Sequence, residues 1–159
     1  MTAAPESRGL VRPAVVADAG AIAAVHVAGW RSAYTGLLPA EMLAALDAGQ
    51  WAARRRERLA EPPDGVFVLV FEQAGQIRAF VSGGPARDGG GIPGVGGEVY
   101  AIYVDPACQG RGAGARLLEA AAGSLAGAGF TGISVSADYR DDRSPGPGSD
   151  VWTFQAIRT

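Results

Sequence analysis

The sequence predicts a single α/β domain of the α+β kind, its sheet mostly antiparallel but with one parallel strand pair. Three observations carry this. Helical periodicity fills the stretch from Asp18 to Ala60. Two apolar runs, Val66 to Phe71 and Ile77 to Ser82, are joined by the tight connection Gln73-Ala74-Gly75-Gln76, and the stretch from Val99 to Ser136 reads strand, helix, strand. A tight connection makes the first pair antiparallel, and a crossover helix makes the second pair parallel. A chain of 159 residues with 48% hydrophobic content suits one domain with one substantial core.

In order, Leu10 to Val15 forms the first strand, and Asp18 caps a helix on which Ile22, Val25, Gly29 and Trp30 recur at helical spacing. Pro39 starts a second helix with Met42, Leu43 and Leu46 on one side, and Gln50 to Ala60 continues as a third. Pro62-Pro63-Asp64-Gly65 is a turn. After the antiparallel pair, the glycine-rich segment from Gly83 to Gly97 contains two prolines and opens no helix, so it reads as a surface connection to the strand Val99 to Val104. Ala113 to Ala126 is the next helix, with Leu117, Leu118, Ala121 and Leu125 toward the sheet; Gly127 to Gly129 stop it before a strand from Thr131 to Ser136. The chain then changes character. Residues 137–159 are set apart from the domain at 1–136: Ala137 to Asp150 is polar and broken by Pro145-Gly146-Pro147-Gly148, while Val151 to Ala156 alternates and can form a short terminal strand.

Several function classes are excluded. Net charge is −2 and pI about 5.4, every one of the 14 basic residues is arginine, and the cluster Arg54-Arg55-Arg56 with Arg58 shares its helix with Glu57, so it reads as a solvated face and not as a nucleic-acid surface. A single cysteine cannot form an intrachain disulfide. No signal segment and no apolar run near 18 residues stands out, so a cytoplasmic protein without membrane attachment is expected.

The segment from Val104 to Ala115, VDPACQGRGAGA, runs from a strand through a glycine-rich turn into a helix. First-turn amides, the positive helix end and Arg111 together suit a pyrophosphate. The phosphate loop of nucleotide hydrolases needs a lysine, and the chain has none. The dinucleotide fingerprint fits literally at Gly110, Gly112 and Ala115, with Asp138 as a ribose-binding acid, but five residues separate the strand from its first glycine and the motif lies about two thirds along the chain.

Gln109-Gly110-Arg111-Gly112-Ala113-Gly114 resembles the Q/R-x-x-G-x-G/A signature of the GCN5-related N-acetyltransferases (GNAT), and Glu98 to Pro106 resembles the strand that precedes it there. Arg12-Pro13-Ala14, Asp18 to His26 and Gly29 to Pro39 are similar to the opening of bacterial members, so the resemblance covers about residues 10 to 136. It implies a sheet with helices on both faces whose parallel strands splay apart. It also implies acetyl-CoA as co-substrate and transfer of the acetyl group to a primary amine of a small molecule or peptide by direct attack, with no metal required. The pantetheine arm would lie along Ile102, Tyr103 and Val104 as an added strand, and the pyrophosphate on Gln109, Gly110, Arg111, Gly112, Ala113, Gly114 and Ala115. Glu98 matches the acidic residue that serves as base in many members, often through a water; an exposed acid at a strand edge is its structural alternative. Trp30 and Tyr34 fall on the acceptor side, where Trp30 is equally a core residue. His26 reads as a packed helix residue, and Cys108 as no nucleophile though open to alkylation.

The family's closing helix and strand are not recognisable after Ser136, and Tyr139 matches no family acid. A frame-shifted or truncated product would look like this, so the alternative function is a coenzyme-A-binding but catalytically impaired domain. The uncovered edge of the last domain strand is expected to be capped by residues 151–156, from the same chain or from a second copy in a homodimer.

Overall fold

Six strands line up in sequence order in one sheet: β1 (Leu10–Pro13), β2 (Phe67–Gln73), β3 (Gln76–Pro85), β4 (Gly97–Val104), β5 (Ile133–Ala137) and β6 (Asp150–Phe154). Every neighbouring pair is antiparallel except β4 and β5, which are parallel. The computed structural model describes residues 8–86, 96–130, 133–137 and 150–154. Helix α1 (Ala19–Tyr34), the short α2 (Ala40–Ala44) and α3 (Ala48–Ala60) precede β2, and α4 (Ala113–Gly127) makes the crossover between β4 and β5.

Strand alternation sorts the core into two layers. Leu69, Phe71, Ala79, Val81 and Val99 point to one face and bury Ala113, Leu117, Ala121 and Leu125 of α4. Val70 and Phe80 point to the other and pack on Ile22 and Val25 of α1, with Leu59 of α3 at the margin. Each fully buried Leu of α4 contributes roughly 1.5–3 kcal/mol of burial. Gly129 at φ +93° ends α4 in the left-handed region, as the glycine run after it predicts.

Some local expectations change. Asp18 stands at the N-cap of α1 but makes no cap hydrogen bond there. Its carboxylate is engaged by Arg12 at 2.8 and 3.0 Å and by the Val15 amide at 2.8 Å. Arg12 also donates to Glu72 at 2.7 Å, so one guanidinium ties β1, β2 and the entry to α1 and holds the Asp18 carboxyl below its ordinary pKa. Met42 is exposed, because α2 is too short to bury more than Leu43. Helix α3 begins two residues earlier than its apolar pattern suggests, since Asp47 accepts from the Gly49 and Gln50 amides. Gly83, Gly84 and Pro85 belong to β3 and not to a loop: a Cβ on Gly83 would stand 2.8 Å from Phe67 and 2.9 Å from the Glu98 carbonyl oxygen. Cys108 is buried in the 3₁₀ turn Pro106–Cys108, which closes its thiol to reagents.

Beyond β5, residues 138–149 lie outside the description, as do Gln155 and Ala156 of the anticipated terminal strand and Asp138 and Tyr139. The pairing of β6 is described: it runs antiparallel along β5 from Ile133↔Phe154 to Ala137↔Asp150, on the same chain.

Candidate active site

The site is organised by an interruption in β4. Val99 faces the α4 layer, yet Ala101 and Tyr103 face the α1 layer, and on β3 the consecutive residues Ser82 and Gly83 pair with Ala101 and Val99. Tyr100 is therefore the extra residue of a β-bulge, which changes the pleat and bends the strand. The ladder to β5 covers only Gly97↔Ile133, Glu98↔Ser134 and Val99↔Val135, although β4 continues to Val104 and β5 to Ala137. The parallel pair thus splays from the bulge onward, with Ile102, Tyr103 and Val104 on the diverging part of β4. Gly84 makes the bulge sterically feasible, because a Cβ there would lie 2.8 Å from the Tyr100 hydroxyl, which donates to the Pro85 carbonyl.

Below the splay, Asp105 sets the turn: its carboxylate accepts from the Ala107 amide at 3.0 Å and from Arg78 at 3.2 Å. Gln109 donates back to the Val104 carbonyl at 3.4 Å. Gly110 and Gly112 take φ of +78° and +86°, which only glycine adopts cheaply. Gly112 is the N-cap of α4 and brings no side-chain cap, so the amides of Ala113, Gly114 and Ala115 open the helix without an internal partner. Ala113 is buried, whereas Gln109, Gly110, Arg111, Gly112 and Ala115 are exposed. The turn and the splayed edge of β4 adjoin: a Cβ on Gly114 would touch Val104 at 3.5 Å. Strand edge and helix amides, the two parts that the family resemblance implies for the coenzyme, are brought together.

On the opposite side of the bulge, α1 and α3 build an aromatic wall. The Trp30 indole N–H donates to the Tyr103 hydroxyl at 3.1 Å, and the Tyr34 ring packs at a tilt on Trp30, 4.7 Å between centroids. His26 lies 4.4 Å from both the Trp51 and Tyr103 rings. Beside this wall is a cavity of about 800 Å³ lined by His26, Arg55, Arg58, Ser82, Tyr100 and Ala101, among others. A second hollow of about 610 Å³ shares His26, Arg55 and Arg58 and adds Trp51 and Arg54. Trp30 and Tyr34 do not line either space; they stand behind Tyr103 and Trp51.

Glu98 is fully buried, so it is not an exposed edge acid. Alternation with Val99 points it to the α1 face, two residues before Tyr100, which lines the cavity while Glu98 does not. His26, expected as a packed helix residue, is packed against the Trp51 and Tyr103 rings, and burial followed by the charge of Arg55 pushes its pKa down to about 4. Arg55 in turn is half-buried with its guanidinium 5.1 Å from the Phe80 ring centroid, and burial followed by the Arg58 charge lowers its pKa. The expectation of a solvated arginine face holds for Arg54, Arg56 and Arg58 and fails for Arg55. Trp51, Arg55 and Arg58 recur at i, i+4, i+7, and that spacing was the available sign that α3 turns one face inward.

Residues 30–144 match the acetyltransferase (GNAT) family. The chain is 36% identical over 125 residues to the uncharacterized N-acetyltransferase YuaI of Bacillus subtilis (strain 168), covering 79% of this chain and 69% of YuaI. The fold is similar to that of the PaiA N-acetyltransferase from Thermoplasma acidophilum in complex with coenzyme A, with a TM-score of 0.64 at 15% identity and coverage of 81% and 79% of the two chains. It is also similar to a GNAT family acetyltransferase from Brucella melitensis in complex with acetyl-CoA, with a TM-score of 0.57, 23% identity and coverage of 94% and 97%. A bulged, splayed strand pair closed by a glycine-capped helix, together with these matches, places the chain in the GNAT family of acetyltransferases.

Proposed function

We propose that the protein transfers the acetyl group of acetyl-CoA to a primary amine of a small molecule or peptide, in one direct step. The observation that carries this reading is the loss of β4–β5 pairing after Val99 directly above the open amides of α4. An extended pantetheine arm fits such a cleft as an added strand along Ile102 to Val104, and a pyrophosphate fits the amides from Gly112 to Ala115 with Arg111 at its side. This puts the thioester at the bulge. The amine nitrogen attacks the thioester carbon, the C–N bond forms, the C–S bond breaks, and coenzyme A leaves as a thiolate that takes up a proton. Glu98 is the base for the amine proton, acting through a water because its carboxylate sits behind the cavity wall. Trp30 and Tyr34 act on the acceptor indirectly, by holding Tyr103 and Trp51 in place.

Calorimetry with acetyl-CoA, NAD and buffer, followed by thiol release over a panel of amines, tests the reading. Binding of acetyl-CoA with amine-dependent thiol release is the expected result. Binding without release on any amine would establish instead the coenzyme-binding, catalytically impaired domain, and no binding of acetyl-CoA would reject the site altogether.

A further inference from the structure

We infer that the acceptor carries an anionic group, a carboxylate in the first instance, which docks on Arg55 and Arg58 while its amine reaches the bulge at Tyr100. This inference rests on the acetyl-transfer reading for the position of the amine, but the anion site stands on its own observations.

The first is an uncompensated charge. Ion pairs among the described residues are Arg12 with Asp18, Arg12 with Glu72, and Arg78 with Asp105. Arg55 has none. Its guanidinium is half-buried against the Phe80 ring, with His26 held neutral beside it and the like charge of Arg58 one turn on. Glu57 lines the same hollow without forming an ion pair to any of these arginines. A cation kept partly out of water with a second cation for company is destabilising unless something anionic joins it. A guanidinium's planar fork suits a carboxylate in particular.

The second observation is continuity. Arg55 and Arg58 border the same cavity as Ser82, Tyr100 and Ala101, so one molecule reaches both the arginines and the place where the strands part. Its volume of about 800 Å³ lies within the range of small-molecule sites. An amino acid carries a group for each end.

Two measurements decide the matter. In the first, tryptophan fluorescence of the protein without coenzyme is titrated with N-acetyl amino acids and with their neutral amides at fixed ionic strength. Saturable binding of the carboxylates, at least tenfold tighter than the amides and lost in Arg55→Gln, is expected. Equal binding of the two series, or no saturable response to either, overturns the anion site whether or not the protein turns over. In the second, kcat/KM is compared over L-amino acids, their amides and the decarboxylated amines, with aminomethylphosphonate against glycine to separate carboxylate from phosphonate docking. The best acceptor is expected to lose tenfold or more when its carboxylate is removed. Arg58→Gln, an exposed change that leaves the fold alone, is expected to lose part of that preference. A best acceptor indifferent to its carboxylate overturns the proposal, and failure to bind acetyl-CoA would reject the acetyl-transfer reading without touching the fluorescence result.

Discussion

Trp30 on α1 and Tyr103 on β4 are joined by a 3.1 Å hydrogen bond from indole to hydroxyl, and the residue before Trp30 makes the approach possible. A Cβ on Gly29 would stand 2.6 Å from the Tyr103 ring, so the ring occupies the space that any side chain at 29 would need. The helix therefore rests on the part of β4 that has splayed from β5. Aromatic packing substitutes there for the missing ladder and fixes the wall of the cavity.

Gly29→Ala should accordingly lower stability by about 1–3 kcal/mol, the usual cost of overpacking, and displace the Tyr103 ring. Trp30→Phe, which loses one half-buried hydrogen bond, should cost about 1 kcal/mol. Denaturant midpoints measure both, and coenzyme affinity should stay within a few fold, because the α4 amides proposed to hold the pyrophosphate are on the other side of the sheet. A Gly29→Ala protein as stable as the parent would mean that α1 and β4 are not in close contact.

The depressed pKa of His26 predicts a pH dependence of stability. Its folded value of about 4 lies below the ordinary value of 6.5, so between these limits the unfolded chain binds the extra proton. Stability should fall as pH drops from about 6.5 toward 4, by an amount of order 1 kcal/mol after allowance for partial solvent exposure. The Asp18 carboxyl, lowered by Arg12, adds its own loss only at more acid pH, as its folded pKa is approached. Urea unfolding across this range should show a slope that His26→Gln removes; an unchanged slope would assign it to carboxylates.

What the sequence discloses here depends on the range of the forces involved. Strand alternation, helix periodicity and the signature turn are local, and they locate the β2–β3 hairpin, the parallel β4–β5 pair with its crossover helix and the glycine-rich turn that opens α4, whereas the strand order rests on contacts between distant segments. Asp18 and Arg55 show the limit. Asp18 has the right position for a cap, but a guanidinium from β1 competes successfully for its carboxylate. Arg55 looks like one member of a charged run until α1 and β3 supply the rings that enclose it. The bulge at Tyr100 is likewise invisible in Glu98 to Val104, since it is defined by the register against Ser82 and Gly83.

The hairpin between β2 and β3 yields a prediction free of function. Ala74 has φ +51° and Gly75 φ +74°, the two left-handed positions of a type I′ turn, and Ala is poorly suited to the first. Ala74→Asn should raise stability by about 0.5–1 kcal/mol, close to the left-handed penalty it relieves. Thermal melting would register this, and no gain would imply that the turn relaxes to another type.

For the proposed base, Glu98→Gln keeps the buried shape and removes the carboxyl's ability to take up and release a proton. Turnover should drop by about 10²-fold with coenzyme affinity nearly unchanged, the scale of general base catalysis. A fall in melting temperature with normal turnover would instead make Glu98 a structural acid.

The glycines of the signature turn give the sharpest test of the coenzyme site, because the structure assigns them different tasks. Gly112 must hold φ +86°, and a Cβ there meets nothing within 4 Å, so its requirement is conformational. Gly114 is helical, and a Cβ there makes an ordinary 3.5 Å contact with Val104, so alanine fits. Gly112→Ala should therefore cost about 1–2 kcal/mol of stability, re-aim the amides and weaken acetyl-CoA binding by more than about tenfold. Gly114→Ala should keep the fold and bind within about threefold of the parent, whereas Gly114→Val should fold and bind poorly because its branches project toward the splayed edge. Arg111→Ala should matter less than Gly112→Ala, since on this proposal a single exposed side chain adds to a contact made mainly by backbone. Calorimetric titration of the four proteins orders these effects. If folded Gly112→Ala binds acetyl-CoA as tightly as the parent, the amides opening α4 do not hold the pyrophosphate and the site must be sought elsewhere along β4.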